Sequence, residues 1–263
     1  MTAAPAPQFW PAQIEHPAAS GRVIVICEHA SNHFPDPFGT LGLTAAQQRA
    51  HIAWDPGAAG LARALARALG GPLVTAPLSR LIYDCNRPPD ALGAMAARSE
   101  THDIPGNRAL SAAQRLARVD AVYLPFHQTL GAEVARRIAL GLAPVLVTIH
   151  SFTPIWFGQP RAVEFGVIHD ADPTLAHAVL RAARDLPLVT RLNEPYSAAD
   201  AVTHTLALHA TPYGLPGVML EVRSDLIATP ESENQMAARL APVLAEAVAA
   251  LTPQSGTAAA RTG

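Results

Sequence analysis

The stretch Val23-Ile24-Val25-Ile26-Cys27, followed at once by Glu28-His29-Ala30-Ser31-Asn32, sets a short apolar run directly before a polar cluster. A continuous Val/Ile run of this length reads as a strand buried on both faces, as in a parallel sheet. The pattern recurs twice. Val145-Leu146-Val147-Thr148-Ile149 is followed by His150, and Gly217-Val218-Met219-Leu220 ends at Glu221. Ligands of open parallel sheets bind outside the carboxyl ends of the strands. Two imidazoles and a carboxylate at three such ends can therefore share one cleft. Imidazoles and carboxylates around an open position suit a catalytic zinc or a similar divalent ion.

The chain has 263 residues and is 49% hydrophobic, which fits a single α/β domain over 1–263 better than two small ones. Its formal net charge of −2 gives no electrostatic case for nucleic acid or an anionic membrane as partner. The apolar stretches are too short to span a bilayer. Met1 to Ser20 is rich in Ala and Pro and lacks the basic start and hydrophobic run of a secretory signal. A cytoplasmic protein is the expectation. The two cysteines, Cys27 and Cys85, make no disulfide framework and read as small buried apolar side chains.

Along the chain, residues 1–21 read as an irregular lead-in and 22–27 as the first strand. Glu28 to Gly42 holds too many turn formers for regular structure. Thr44 caps a short helix reaching His51. Asp55-Pro56-Gly57 opens a stronger one, with Asp55 as N-cap, Leu61, Leu65 and Leu69 as its apolar stripe and Gly70-Gly71 as its stop. Leu73 to Ala76 reads as a strand and Arg80 to Cys85 as a short extended segment. Asn86 to Arg108 is a long loop, which in a compact domain points to function or disorder. Ser111 opens a helical region to about Leu140, bent at Pro125. Further strands are expected over 143–149, 162–168, 188–192 and 218–222. Further helices are expected over 173–184, 200–210 and 230–251, with a disordered tail from Pro253. Strands alternating with helices argue for an α/β fold with a mainly parallel or mixed central sheet and helices on both faces.

Several of these residues could carry chemistry. Asp55 can cap a helix and still offer an oxygen to a metal. Glu28, beside His29, is a second acidic candidate. Arg80, Arg87, Arg108, Arg161 and Arg223 fall beside strand exits or in long loops, and arginine grips carboxylates in bidentate fashion. Arginines near a metal would favour a small-molecule substrate bearing carboxylates.

Five segments together resemble the N-formylglutamate amidohydrolase family. They are Cys27-Glu28-His29-Ala30-Ser31-Asn32, Ala53-Trp54-Asp55-Pro56-Gly57-Ala58, Ser79-Arg80-Leu81-Ile82-Tyr83-Asp84-Cys85-Asn86-Arg87-Pro88, Ile104-Pro105-Gly106-Asn107 and His150-Ser151-Phe152-Thr153-Pro154. The resemblance runs from about Val23 to Leu226. It implies a phosphorylase/hydrolase-like α/β fold and an amidohydrolase acting on an N-acyl amino acid, N-formylglutamate first among them. The order of parts also resembles the zinc N-acetylmuramoyl-L-alanine amidases. Matched by order, that likeness implies His29, Asp55 and His150 as ligands of a divalent metal, zinc by this donor set, and Glu221 as the catalytic carboxylate. Asp55 stands where those amidases have Glu, so Glu28 remains an alternative ligand. Arg223 is expected to assist catalysis. Arg80, Asn86, Arg87, Asn107 and Arg161 are expected to hold the substrate, with Arg87 the best single choice for its carboxylate.

Two other readings differ in class. Cys27 and His29 are two apart and would point the same way along a strand, as a cysteine hydrolase would need. A non-catalytic binder of small carboxylates would use the same arginines without turnover.

Overall fold

The structure, a computed structural model, describes residues 8–251. The tail expected from Pro253 lies outside the described residues. Seven strands form the central sheet: β1 (Gln13–Glu15), β2 (Val23–Cys27), β3 (Leu73–Thr75), β4 (Val145–Phe152), β5 (Phe165–Ile168), β6 (Thr190–Leu192) and β7 (Gly217–Arg223). Their order across the sheet is β1-β3-β2-β4-β7-β5-β6. β1 runs antiparallel to β3, and β5 antiparallel to β7; the other neighbours are parallel. The fold is therefore α/β with a mixed, mainly parallel sheet, as the alternation of elements implied.

The apolar runs are buried because each faces a core on both sides. Val23, Val25 and Cys27 join one cluster with Leu61, Leu65 and Leu240, while Ile24 and Ile26 join another with Phe126, Leu130 and Leu206. The first cluster is roofed by α2 (Ala58–Leu69), α5 (Thr174–Ala182) and α7 (Pro230–Ala249). The second lies under α4 (Leu124–Ala139) and α6 (His204–His209). Each Val, Leu or Ile taken fully out of water contributes roughly 1.5–3 kcal/mol. A one-residue slip would swap the two faces of the strand, so the pattern also fixes register.

Several local expectations are corrected. The lead-in is not wholly irregular, because Gln13-Ile14-Glu15 pairs with β3 as an edge strand. Arg80 to Cys85 is not a strand. Ser79 stops extension there, since its hydroxyl donates to the Ala53 carbonyl at 2.7 Å and accepts from the Leu81 amide at 3.2 Å, folding the segment into turns. Asp55 does not cap α2. Gly57 does, at φ +79°, where a side chain would also meet the Ile227 carbonyl oxygen at 2.1 Å. β4 runs further than expected, so His150 lies within the strand and not beyond it, while Glu221 lies within β7 as the strand expected over 218–222 implied. α1 (Ala45–Arg49) keeps Thr44 as N-cap in a capping box with Gln47. The region after Ser111 is α3 (Ala112–Arg118), a π-helical turn (Val119–Tyr123) and then α4. The irregularity thus lies before Pro125 and is a π turn, not a proline bend.

Candidate metal and catalytic site

Three adjacent strands bring the site together. β2 delivers Glu28 and His29 just past its end, β4 carries His150, and β7 carries Glu221. His150 and Glu221 face each other in register on neighbouring parallel strands, so their side chains leave the sheet on the same face. Asp55 enters from the turn before α2, where its amide donates to the His29 carbonyl at 3.0 Å.

His29, Asp55 and His150 converge on one point. His29 Nδ1 is 3.2 Å from Asp55 Oδ2, His150 Nδ1 is 2.9 Å from the same oxygen, and the two Nδ1 atoms are 3.1 Å apart. Bonds of about 2.0–2.2 Å to a zinc-like ion require donors roughly this close. All three residues are buried. A carboxylate stands behind each imidazole. Asp84 Oδ1 is 2.7 Å from His29 Nε2, and Glu28 Oε2 is 3.1 Å from His150 Nε2, the latter a close ion pair without hydrogen-bond alignment. Arg80 ties the layers, donating from Nη2 to Asp84 at 2.6 Å and from Nη1 to Asp55 at 3.4 Å. Asp55, Asp84 and Glu28, set against Arg80, leave two buried negative charges, the complement of a divalent cation. Donor chemistry, spacing and charge therefore all fit such an ion.

The titration behaviour follows from this crowding. Burial alone would raise the Asp55 carboxyl, but His29 and His150 hold it far below the carboxylate range. Burial likewise opposes ionisation of Asp84, and Arg80 and His29 overcome it. Burial would lower His150, yet Glu28 and Asp55 push it well above its ordinary value. Glu221 is the exception. Burial dominates, Asp55 adds to it, and the carboxyl is pushed up to about 7. Its Oε2 is buried with no hydrogen-bond partner among the described residues.

The site opens into a cleft of about 400 Å³. His29, Asp55, His150 and Glu221 line it, with Arg80, Asn86, Arg87, Trp156 and Tyr196. At its mouth His51 Nε2 lies 3.0 Å from Glu100 Oε2, and Glu100 Oε1 accepts the Phe157 amide, joining two surface hairpins.

The remaining candidates separate. Arg87 lines the cleft, with Nη1 donating to the Asp200 and Ala201 carbonyls. Asn86 lines it too, but its side chain is spent on the Val202 carbonyl and the Thr205 amide. Asn107 is buried elsewhere, donating to the Leu81 and Ala96 carbonyls and accepting from Arg118. Arg223 is outside the cleft, paired with Glu164 and Asp225. Arg161 is not among the lining residues but stacks behind three that are. Cys27 belongs to the core beneath α2, and its thiol is raised by burial and by Asp55 and Glu28, so the strand parity that would have paired it with His29 does not operate. His29 is already in a turn. Asp84 and Tyr196 were not singled out from sequence. Asp84 did lie inside a quoted segment, four residues after Arg80.

The fold and this cleft define a hydrolase-like α/β protein. The model of the N-formylglutamate amidohydrolase family matches residues 21–228, and the chain belongs to that family. It is also similar to a gene product of Agrobacterium tumefaciens of known structure, at 46% identity and a TM-score of 0.90, covering 94% of this chain and 97% of that one. The N-formylglutamate amidohydrolase of Ralstonia eutropha JMP134 shares the fold at 18% identity and a TM-score of 0.70, covering 92% and 98%. No curated protein matches the sequence. Among the described residues, no helix is long and apolar enough to cross a membrane.

Proposed function

We propose that this chain hydrolyses the amide of N-formylglutamate, releasing formate and glutamate, with a divalent metal held by His29, Asp55 and His150. One observation carries the reading: three buried donors converge beside a carboxylate, Glu221, that is unpaired and pushed up to about 7. When bound, a zinc-like ion polarises the acyl carbonyl and makes water a stronger nucleophile. Asp84 and Glu28 fix the imidazoles from behind, and Arg80 keeps Asp84 ionised. These contacts set ring orientation before substrate arrives.

Glu221 handles the proton. A carboxyl poised near neutrality takes a proton from the attacking water and gives it to the leaving nitrogen. Its place opposite His150 puts it on the cleft side of the sheet. Arg87 binds a substrate carboxylate through the part of its guanidinium not engaged by backbone carbonyls. Its backbone is anchored, because its amide donates to the Asp84 carbonyl at 3.0 Å.

The test is formate release from N-formylglutamate by zinc-loaded protein, alongside N-acetylglutamate and N-formyl amino acids with one carboxylate. Turnover that chelation abolishes and zinc restores supports the reading. Calorimetric binding of N-formylglutamate with no formate released would favour a carboxylate binder instead. Turnover unaffected by chelation and retained in His150→Ala would remove the metal from it.

A further inference from the structure

Tyr196 lines the cleft, and its hydroxyl is only half engaged. Arg161 Nη2 donates to the Tyr196 oxygen at 3.0 Å. A guanidinium has donors and no acceptor, so it cannot take the phenol proton in return. Among the described residues no acceptor receives that proton.

Arg161 is held as a backing charge. Its guanidinium carbon lies 5.4 Å from the Phe152 ring centre, 4.9 Å from that of Trp156 and 5.1 Å from that of Tyr196. Its amide donates to the Pro154 carbonyl at 2.8 Å. Its Nη1 is buried with no hydrogen-bond partner among the described residues. All three rings line the cleft while Arg161 does not, so the phenol is the polar group through which its charge reaches the cleft.

Backbone geometry brings the segment that leads to Tyr196 close to Glu221, and both residues line the same cleft. Gly166 on β5 is in register with Glu221 on β7. A Cβ at Gly166 would stand 2.2 Å from the Glu194 carbonyl oxygen and 3.2 Å from the Glu221 Cβ. The missing side chain thus lets Glu194, two residues before Tyr196, lie on the strand close to Glu221. The neighbouring guanidiniums have other partners or another proposed role. Arg80 is spent on Asp55 and Asp84, and Arg87 Nη1 on two carbonyls.

We infer that Tyr196 is a catalytic residue whose hydroxyl donates a hydrogen bond to the acyl oxygen of the scissile amide, and that Arg161 is the positioning residue that aims and polarises it. The inference rests on the proposed amide hydrolysis. The water oxygen bonds to the acyl carbon, the carbon–nitrogen bond breaks, and the water's proton reaches the leaving amine through Glu221. Tyr196 keeps its own proton throughout. It stabilises the negative charge that builds on oxygen, a role aimed at the transition state and not at substrate binding.

The test is steady-state kinetics on N-formylglutamate with metal-loaded wild type, Tyr196→Phe, Arg161→Met and the double variant. Circular dichroism and metal content should match wild type in each. Loss of one oxyanion donor lowers kcat about 10²–10³-fold, and we expect that in Tyr196→Phe with KM changed less than about threefold. Arg161→Met should lose less, and the double variant should be no slower than Tyr196→Phe alone, because one residue acts through the other. Unchanged kcat in Tyr196→Phe, or a raised KM with kcat intact, overturns the catalytic role. Multiplying losses in the double variant overturn the assignment to Arg161. An inert wild type overturns the proposed function and this inference with it, whereas an active wild type and an equally active Tyr196→Phe overturn this inference alone.

Discussion

Replacing Asp84 by Asn tests whether the carboxylate behind His29 tunes a metal site. Asp84 Oδ1 accepts from the Asn86 amide at 3.0 Å and lies 2.7 Å from His29 Nε2, while Oδ2 accepts from Arg80 at 2.6 Å. An Asn side chain has one oxygen and one NH2 group. If its oxygen stays with His29 and Asn86, its NH2 confronts the Arg80 guanidinium, donor against donor. If it turns round, His29 loses the acceptor that fixes its tautomer. Either way one partner of a buried charged group is lost, and so is the negative charge that balances Arg80. Removing a carboxylate behind a ligating His costs about 10–100-fold in metal affinity. The double duty of Asp84 puts the expectation near 100-fold, about 2.8 kcal/mol. The assay is zinc competition against a chromophoric chelator at neutral pH. Asp90→Asn, which removes the same formal charge from an exposed turn, serves as control and should bind zinc like wild type. An affinity for Asp84→Asn within about threefold of wild type would refute the reasoning.

Three further outcomes are expected. Glu221→Gln should keep its metal and lose about 10²–10⁴-fold in kcat, and a near-normal kcat would rule out its proton-transfer role. Arg87→Lys keeps the charge but loses the fork, so KM should rise for N-formylglutamate and less for N-formyl amino acids with one carboxylate; an unchanged KM for both would move the anchor elsewhere. Glu133 is buried against Arg137 at 2.7 Å and Arg136 at 2.9 Å, and although burial opposes it these arginines hold its carboxyl below the ordinary value. Its stabilising contribution is therefore present above about pH 4.3 and lost as pH falls through the depressed folded value. Glu133→Gln should melt below wild type at neutral pH and converge with it in acid; a gap that persists in acid would show that the ion pair is not the cause.

Much of the sheet was legible because its central strands are apolar on both faces. Val23–Cys27, Val145–Ile149 and Gly217–Leu220 need no knowledge of their partners to read as buried. One edge was not legible, although the other, Thr190–Leu192, fell inside the strand expected over 188–192. Gln13-Ile14-Glu15 is too short and too polar to announce itself, and becomes a strand only because β3 offers it a ladder. Arg80 to Cys85 misled for the opposite reason. Leu81, Ile82 and Tyr83 are apolar enough for a strand, and they are buried, but Ser79 holds them in turns that serve the second core. The apolar composition there reflects burial and not an extended conformation.

The site shows the same division. His29 and His150 could be read from their place at the ends of apolar runs, since a polar group there needs a partner. The pairing of carboxylates with imidazoles could not. Glu28 is adjacent to His29 in sequence, which made it a rival to Asp55, yet it stands behind His150. His29 is backed instead by Asp84, from a turn 55 residues away. Each imidazole is thus held between Asp55 in front and a second carboxylate behind, with Arg80 bridging Asp55 and Asp84. Glu28 and His29 follow one another in the turn after β2, yet the Glu28 carboxylate reaches the far side of His150, so adjacency in sequence did not decide which carboxylate shares the front of the site. On this geometry Asp55 supports the ligand role and Glu28 the orienting one. The division yields a contrast: Glu28→Gln should weaken zinc binding by about 10–100-fold, as Asp84→Asn does, whereas Asp55→Asn removes a direct donor and should cost more than either. Equal affinities for the Glu28 and Asp55 variants in the same chelator competition would reopen which carboxylate faces the metal.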